Sequence, residues 1–217
     1  MNKLINKAII LAFITVGYNV VEGVISIIFG MENETLALSG FGADSFVEVI
    51  SGLGILHMVF RMKYSKVVKR DQFEKTALRI TGFSFYLLTA GLVVGSILII
   101  INNVKPSTTL PGIIISIISI ATMYYLMNAK LKVGKDLNSD AIIADANCTK
   151  TCFYLSFILL AASGLYEIFK IGYFDALGSL GIAYFAFKEG REAFEKVRTG
   201  NLACGCDDEC ETEVEKL

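Results

Sequence analysis

The sequence predicts an all-α, polytopic membrane protein: a six-transmembrane-helix bundle with both termini cytoplasmic. Three observations predict this. First, 54% of the 217 residues are apolar and the mean hydropathy is +0.59, above the usual soluble range. Second, the apolar residues gather into six runs, at 8–29, 36–60, 77–101, 110–127, 141–163 and 165–187. Each is near the ~20 residues that a helix needs to cross about 30 Å of hydrocarbon. None alternates as a strand would, and in lipid a helix satisfies its own backbone. Third, basic residues cluster in alternate connections.

The runs differ in what they carry. The first contains Asn19 and Glu22. It is too long for the apolar core of a signal peptide and lacks a clear small-residue cleavage site, so it is read as a span. The second carries Asp44 and Glu48, and the third carries the small-residue packing motif Gly91-x-x-x-Gly95. The fourth is the shortest and follows Pro106 and Pro111, the only two prolines, which end helices at little cost in an outer connection. The fifth is the most polar, with Asp145, Cys148, Lys150 and Cys152. The sixth is followed by a basic stretch. Very short outer connections make runs one and two, and runs five and six, tight hairpins.

Charge sets the orientation. Lys3 and Lys7 precede the first run; Arg61, Lys63, Lys66, Lys69, Arg70, Lys75 and Arg79 lie in or near the second connection. Lys130, Lys132 and Lys135 fill the fourth connection, and Lys188, Arg191, Lys196, Arg198 and Lys216 follow the sixth run. These are 17 of the 20 basic residues, all on one side. The positive-inside rule places that side, and with it both termini, in the cytoplasm; the plasma membrane is the expected location. The net charge of -1 is uninformative, because the asymmetry carries the signal. The basic loops suit anionic lipid headgroups. They are poor in aromatic residues, so nucleic acid is not an expected partner. Residues 1–198 read as the transmembrane domain and 199–217 as a flexible acidic cytoplasmic tail.

Ionisable residues at membrane depth are costly and mark function by default. Asp44 and Glu48 are spaced i, i+4, as are Cys148 and Cys152. In each segment the pair falls seven and eleven residues after an Ala-aliphatic opening, at Ala37-Leu38 and Ala141-Ile142. Such a pair shares one helix face. Runs two and five cross in opposite directions, and with a rise of about 1.5 Å per residue the four side chains fall within about one turn of a common depth. Two carboxylates with two thiolates suit a tetrahedral, borderline-to-soft ion such as Zn2+ or Cd2+. The thiols argue against Mg2+ and Ca2+, which take oxygen ligands. Either cysteine alone would read as a small buried hydrophobe; the shared spacing favours ligands. Asn19, Glu22 and Asp145 are candidate polar lining. Lys150 lies on roughly the opposite face from the cysteines and either pairs with an acid on another helix or lines a wet cavity. His57, the only histidine, reads as an interfacial polar residue.

The tail carries Cys204-Gly205-Cys206-Asp207-Asp208-Glu209-Cys210. Cys204, Cys206 and Cys210 form a second candidate thiolate site in a reducing cytoplasm. No glycine-rich phosphate loop is present, which argues against ATP-driven pumping.

These segments resemble the second and fifth spans of the cation diffusion facilitator family of metal-ion transporters, whose usual pattern is Ala-Asp-x-x-His-x-x-x-Asp or a variant. Asp44 and Glu48 fall on its His and Asp positions in run two. In run five, Ala144-Asp145 matches the Ala-Asp, and Cys148 and Cys152 fall on the His and Asp positions. The stretch Glu-Gly-Arg-Glu-Ala-Phe at 189–194 resembles short bacterial members near the transmembrane-163-like branch. The resemblance covers 1–195 and departs from the family pattern in its cysteines and in lacking the cytoplasmic ferredoxin-like domain. It implies a secondary transporter, not an enzyme, that exports a divalent transition-metal ion from the cytoplasm by proton antiport, with homodimer formation possible. The metal is cargo, and no prosthetic group is expected. Two rival readings are a non-transporting membrane metal sensor or receptor, and a membrane thiol enzyme using Cys148 or Cys152.

Overall fold

The computed structural model describes residues 2–64 and 72–199. Among them are six helices and no strand: α1 (Asn2–Glu32), α2 (Leu36–Tyr64), α3 (Gln72–Asn102), α4 (Leu110–Asp136), α5 (Asp140–Phe169) and α6 (Tyr173–Thr199). Five of them, α1 to α5, are long and apolar enough to cross a membrane. The 27 residues of α6 are long enough, but the stretch between Asp175 and Lys188 is short for a span. Large apolar side chains such as Ile10, Phe13, Phe83, Leu87 and Ile101 face outward. Many polar ones, among them Asn19, Glu22, Ser26, Asp44 and Ser156, are buried. This inside-out distribution suits a hydrocarbon solvent, which solvates leucine but not a carboxylate.

The helices are longer than the apolar runs. α4 continues to Asp136, so Lys130 sits within a helix and not, as expected from charge placement, in a connection. The expected break at 164 is also displaced. α5 continues through Gly164 to Phe169, and the chain turns at Lys170, whose left-handed φ of 54° ends the helix while its N–H bonds the Tyr166 carbonyl. Glu34, Asn103 and Asn138 take positive φ just past the ends of α1, α3 and α4. Non-glycine residues thus perform these helix stops, so glycine is a poor guide to them here.

Two apolar clusters divide the bundle by depth. One joins the start of α1 to the ends of α2 and α4 and the start of α5, through Ile5, Ile9, Val59, Leu126, Val133 and Ile142. This is the basic end. The other, at the opposite end, contains Leu38, Phe41, Leu92, Leu155, Leu159 and Ile182. Close helix approach relies on glycine at a few crossings. A Cβ on Gly190 would lie 3.2 Å from the Gly82 carbonyl, and the reverse distance is the same, so α3 and α6 nearly touch backbones there. Of the Gly91/Gly95 motif, only Gly95 meets a neighbour, Leu36.

Carboxylates order the end opposite the basic one. Asp175 accepts the N–H groups of Leu36 (2.8 Å) and Ala37 (3.2 Å), capping α2 from α6. Glu167 accepts Thr109 N–H (3.2 Å), and with it the hydroxyls of Thr108 and Thr109, at the start of α4. An anion at a helix N-terminus satisfies orphan donors and meets the positive end of the dipole. Asp175→Ala should leave two buried N–H groups without acceptors, destabilising the fold by roughly 1–3 kcal/mol. A lower thermal midpoint in detergent with helicity retained, followed by circular dichroism, checks this; an unchanged midpoint would contradict it.

Candidate functional site

Polar groups from five helices converge beside the basic-end cluster. A cavity of about 50 Å³ lies between Asn19 (α1), Glu48 (α2), Thr81 (α3), Cys148 and Cys152 (α5) and Glu189 (α6). That volume admits a few waters or a small, partly hydrated ion. Its central contact joins α2 to α5: the Cys152 thiol lies 2.5 Å from Glu48 Oε1. The other carboxylate oxygen of Glu48 accepts from Asn19 Nδ2 at 2.9 Å. Glu48 is therefore held from both sides, and its orientation does not depend on solvent.

Of the four candidate ligands, the structure brings Glu48 and Cys152 into contact and places Cys148 on the wall of the same cavity. Asp44 lies one turn farther from the basic end. It is buried, does not line the cavity, and its Oδ1 has no hydrogen-bond partner. Among the described residues, no three His, Cys, Asp or Glu side chains are arranged to hold a metal ion together. The α2 and α5 pairs thus face each other through one member each.

The lining residues separate into two groups. Asn19 faces the cavity. Glu22 does not; Tyr18 and Ser45 donate to its two oxygens at 2.9 and 3.1 Å, and it borders an apolar cleft between α1 and α4. Asp145 lines the cavity, but its carboxylate is engaged by Lys130 Nζ at 3.0 Å, and Thr149 Oγ1 lies 3.0 Å from the same ammonium. Lys150, expected to pair with an acid on another helix or to line a wet cavity, is not on the cavity wall; its ammonium lies over the Tyr154 ring. His57 sits 3.5 Å from Glu74, a carboxylate also gripped by Arg61, so it belongs to the basic-end ion-pair cluster. The tail cysteines lie outside the described residues.

Glu189 opens the Glu-Gly-Arg-Glu-Ala-Phe stretch but is not among the site residues that the sequence predicts. It lies just past the last apolar run, in a basic stretch that reads as interface, yet it lines the cavity and accepts from Thr151 Oγ1 at 2.8 Å. Only the packing of α6 on α3 and α5 brings it inward. Glu48, Glu189 and Glu22 all act electrostatically on Asp44. Glu48 also feels the Lys130 ammonium. The cavity wall thus carries three acids, Glu48, Asp145 and Glu189, and one lysine, Lys196, while Lys130 is already paired with Asp145.

The chain matches no family model and no curated protein.

Breaking the buried Lys130–Asp145 pair from one side should cost about 3–5 kcal/mol, because it strands a charge. Lys130→Met is expected to lose most folded protein in detergent, and Lys130→Met with Asp145→Leu to recover much of it. Size-exclusion monodispersity and the thermal midpoint read the outcome; equal behaviour of the single and double variants would contradict it.

Proposed function

We propose that this chain is a six-span secondary transporter, both termini cytoplasmic, that exports a divalent transition-metal ion such as Zn2+ or Cd2+ in exchange for protons. The observation that carries the reading is the Glu48–Cys152 contact between α2 and α5, set in a polar cavity within an otherwise apolar bundle. A thiol and a carboxylate with a shared hydrogen bond have few uses at that depth other than binding a cation or a proton. Direction and antiport are what the resemblance to the cation diffusion facilitator family implies.

The chemistry of coupling follows from the ligands. Cys152 must release its proton to bind metal, and Glu48 must be ionised. Asn19 keeps Glu48 aimed while the thiol proton departs. Asp44 and Cys148, each one turn from the contact, complete the ligand set when α2 and α5 shift relative to one another. The cavity lies on the basic-end side of Glu48, and the Leu38, Phe41, Leu155 and Leu159 cluster lies on the other. With the basic end cytoplasmic, that placement favours loading from inside. Alternating exposure of a midplane site then carries the ion across. Protons arriving from outside compete for the same four groups and discharge it.

Proteoliposomes loaded with a metal-sensitive dye test the reading. Zn2+ or Cd2+ flux driven by an opposing pH gradient is expected. Asp44→Ala and Cys152→Ala should each lower it by at least about 100-fold, since direct ligands matter more than the outer groups whose loss costs 10–100-fold. Both variants should remain inserted and helical. Wild-type rates in both would reject the site, and saturable binding without flux would indicate a receptor.

Ligand chemistry should also set ion preference. Cys148→His combined with Cys152→Asp removes both thiolates, which favour the softer ion. The Zn2+/Cd2+ rate ratio should rise relative to the parent; an unchanged ratio would mean that the cysteines do not touch the cargo.

A further inference from the structure

Glu189 has a place in the cavity that neither its sequence context nor the four-ligand set accounts for. It reaches the cavity from α6, where Gly190 and Gly82 allow the backbones of α6 and α3 to meet. Thr81, the neighbour of Gly82, faces the same space from α3. Its hydroxyl is buried, with 2% residual exposure of the residue, and has no hydrogen-bond partner. Asn19, equally buried, presents the same situation from α1: its Nδ2 is used by Glu48, while its Oδ1 has no partner. A buried polar oxygen without a partner costs roughly 1–3 kcal/mol. Two of them on the wall of one cavity, beside a carboxylate, suit something that accepts oxygen lone pairs; Lys196, on the same wall, lies 3.6 Å from Glu192.

The connection to the Glu48–Cys152 pair is short: one hydrogen bond and one peptide link. Thr151 donates to Glu189 at 2.8 Å, and the next residue, Cys152, contacts Glu48. A shift of this turn of α5 is felt at both carboxylates.

We infer that Glu189, with Thr81 Oγ1 and Asn19 Oδ1, forms an oxygen-donor waiting position for the divalent cation on the loading side of the Glu48–Cys152 pair. This rests on the transport reading above. An oxygen shell holds a partly hydrated ion loosely, and handing it to thiolates is downhill for a borderline or soft metal. The position therefore concentrates cargo without trapping it.

Cd2+ flux into proteoliposomes, measured against Cd2+ concentration on the loading side, tests the inference. All variants carry Cys204→Ser, Cys206→Ser and Cys210→Ser, so that tail thiols do not contribute. Glu189→Gln should raise KM about tenfold with kcat within about twofold, the pattern of lost ground-state binding. Thr81→Val should raise KM by a smaller factor, and Glu189→Asp should recover part of the loss. Thr151→Val removes the tie between α5 and α6 but keeps the carboxylate, so its KM should stay near the parent value. Unchanged KM in Glu189→Gln, or an equal rise in Thr151→Val, would overturn the inference and leave Glu189 a helix tie. Equilibrium Cd2+ binding to the same purified proteins separates this from the transport reading. A parent that binds Cd2+ but carries none refutes transport, and the waiting position then stands or falls on a tenfold weaker affinity in Glu189→Gln. A parent that neither binds nor carries Cd2+ overturns both.

Discussion

A carboxylate inside an apolar bundle must find a partner there, and much of the interior is arranged around that constraint. Glu48 is held by Asn19 and Cys152. Glu22 is held by Tyr18 and Ser45, and Asp145 by Lys130, whose ammonium also donates to Thr149 Oγ1. Each of these contacts except the one from Tyr18 to Glu22 joins two helices. Interhelical hydrogen bonds are individually modest in membranes, but here they choose which faces meet. Apolar packing against lipid or protein is nearly neutral by comparison, so polar pairing and small-residue crossings decide the arrangement.

The two ends of the bundle use charge differently. At one end, Asp175 and Glu167 cap α2 and α4, spending their charge on backbone donors. At the other, Arg61 and His57 surround Glu74, and Lys196 lies 3.6 Å from Glu192. Between them, Asp44, Glu48 and Glu189 have no full complement of cations. Along the cavity wall, three acids, Glu48, Asp145 and Glu189, face Lys196 and the Lys130 that pairs with Asp145. That imbalance, rather than any single residue, links the fold to the proposed transport.

Lys130 bears on selectivity of the site's membership. Asp145 matches the acid of the family pattern in sequence, yet its carboxylate faces an ammonium that is buried with it. An acid so engaged is a poor ligand unless the lysine moves. The Glu48–Cys152 contact and the Glu189 position thus weigh more in the proposed site than the count of acids in α5 implies. Charge logic had assigned Lys130 to a cytoplasmic connection; the continuation of α4 to Asp136 moved it into the protein.

Local chemistry made the helical membrane class legible: long apolar runs of spanning length, and acids and thiols repeated at i, i+4; of the two prolines expected in one connection, Pro106 lies there and Pro111 falls in the first turn of α4. Those features depend only on residues near each other in sequence, and five helices of the expected kind follow from them. The pairing of Glu48 with Cys152 was also within reach, because shared spacing and opposite chain direction put both near mid-span. Other features were not legible. Gly164 suggested a break, but the turn falls at Lys170, where packing holds a lysine in a conformation that propensity disfavours. Glu22 and Asn19 lie three residues apart, yet one borders a lipid-side cleft and the other the cavity. Glu189 looked interfacial until the Gly82–Gly190 crossing brought α6 against α3. In each case the answer depended on the rotation of one helix against another, which residues distant in sequence set through contacts that no local pattern encodes.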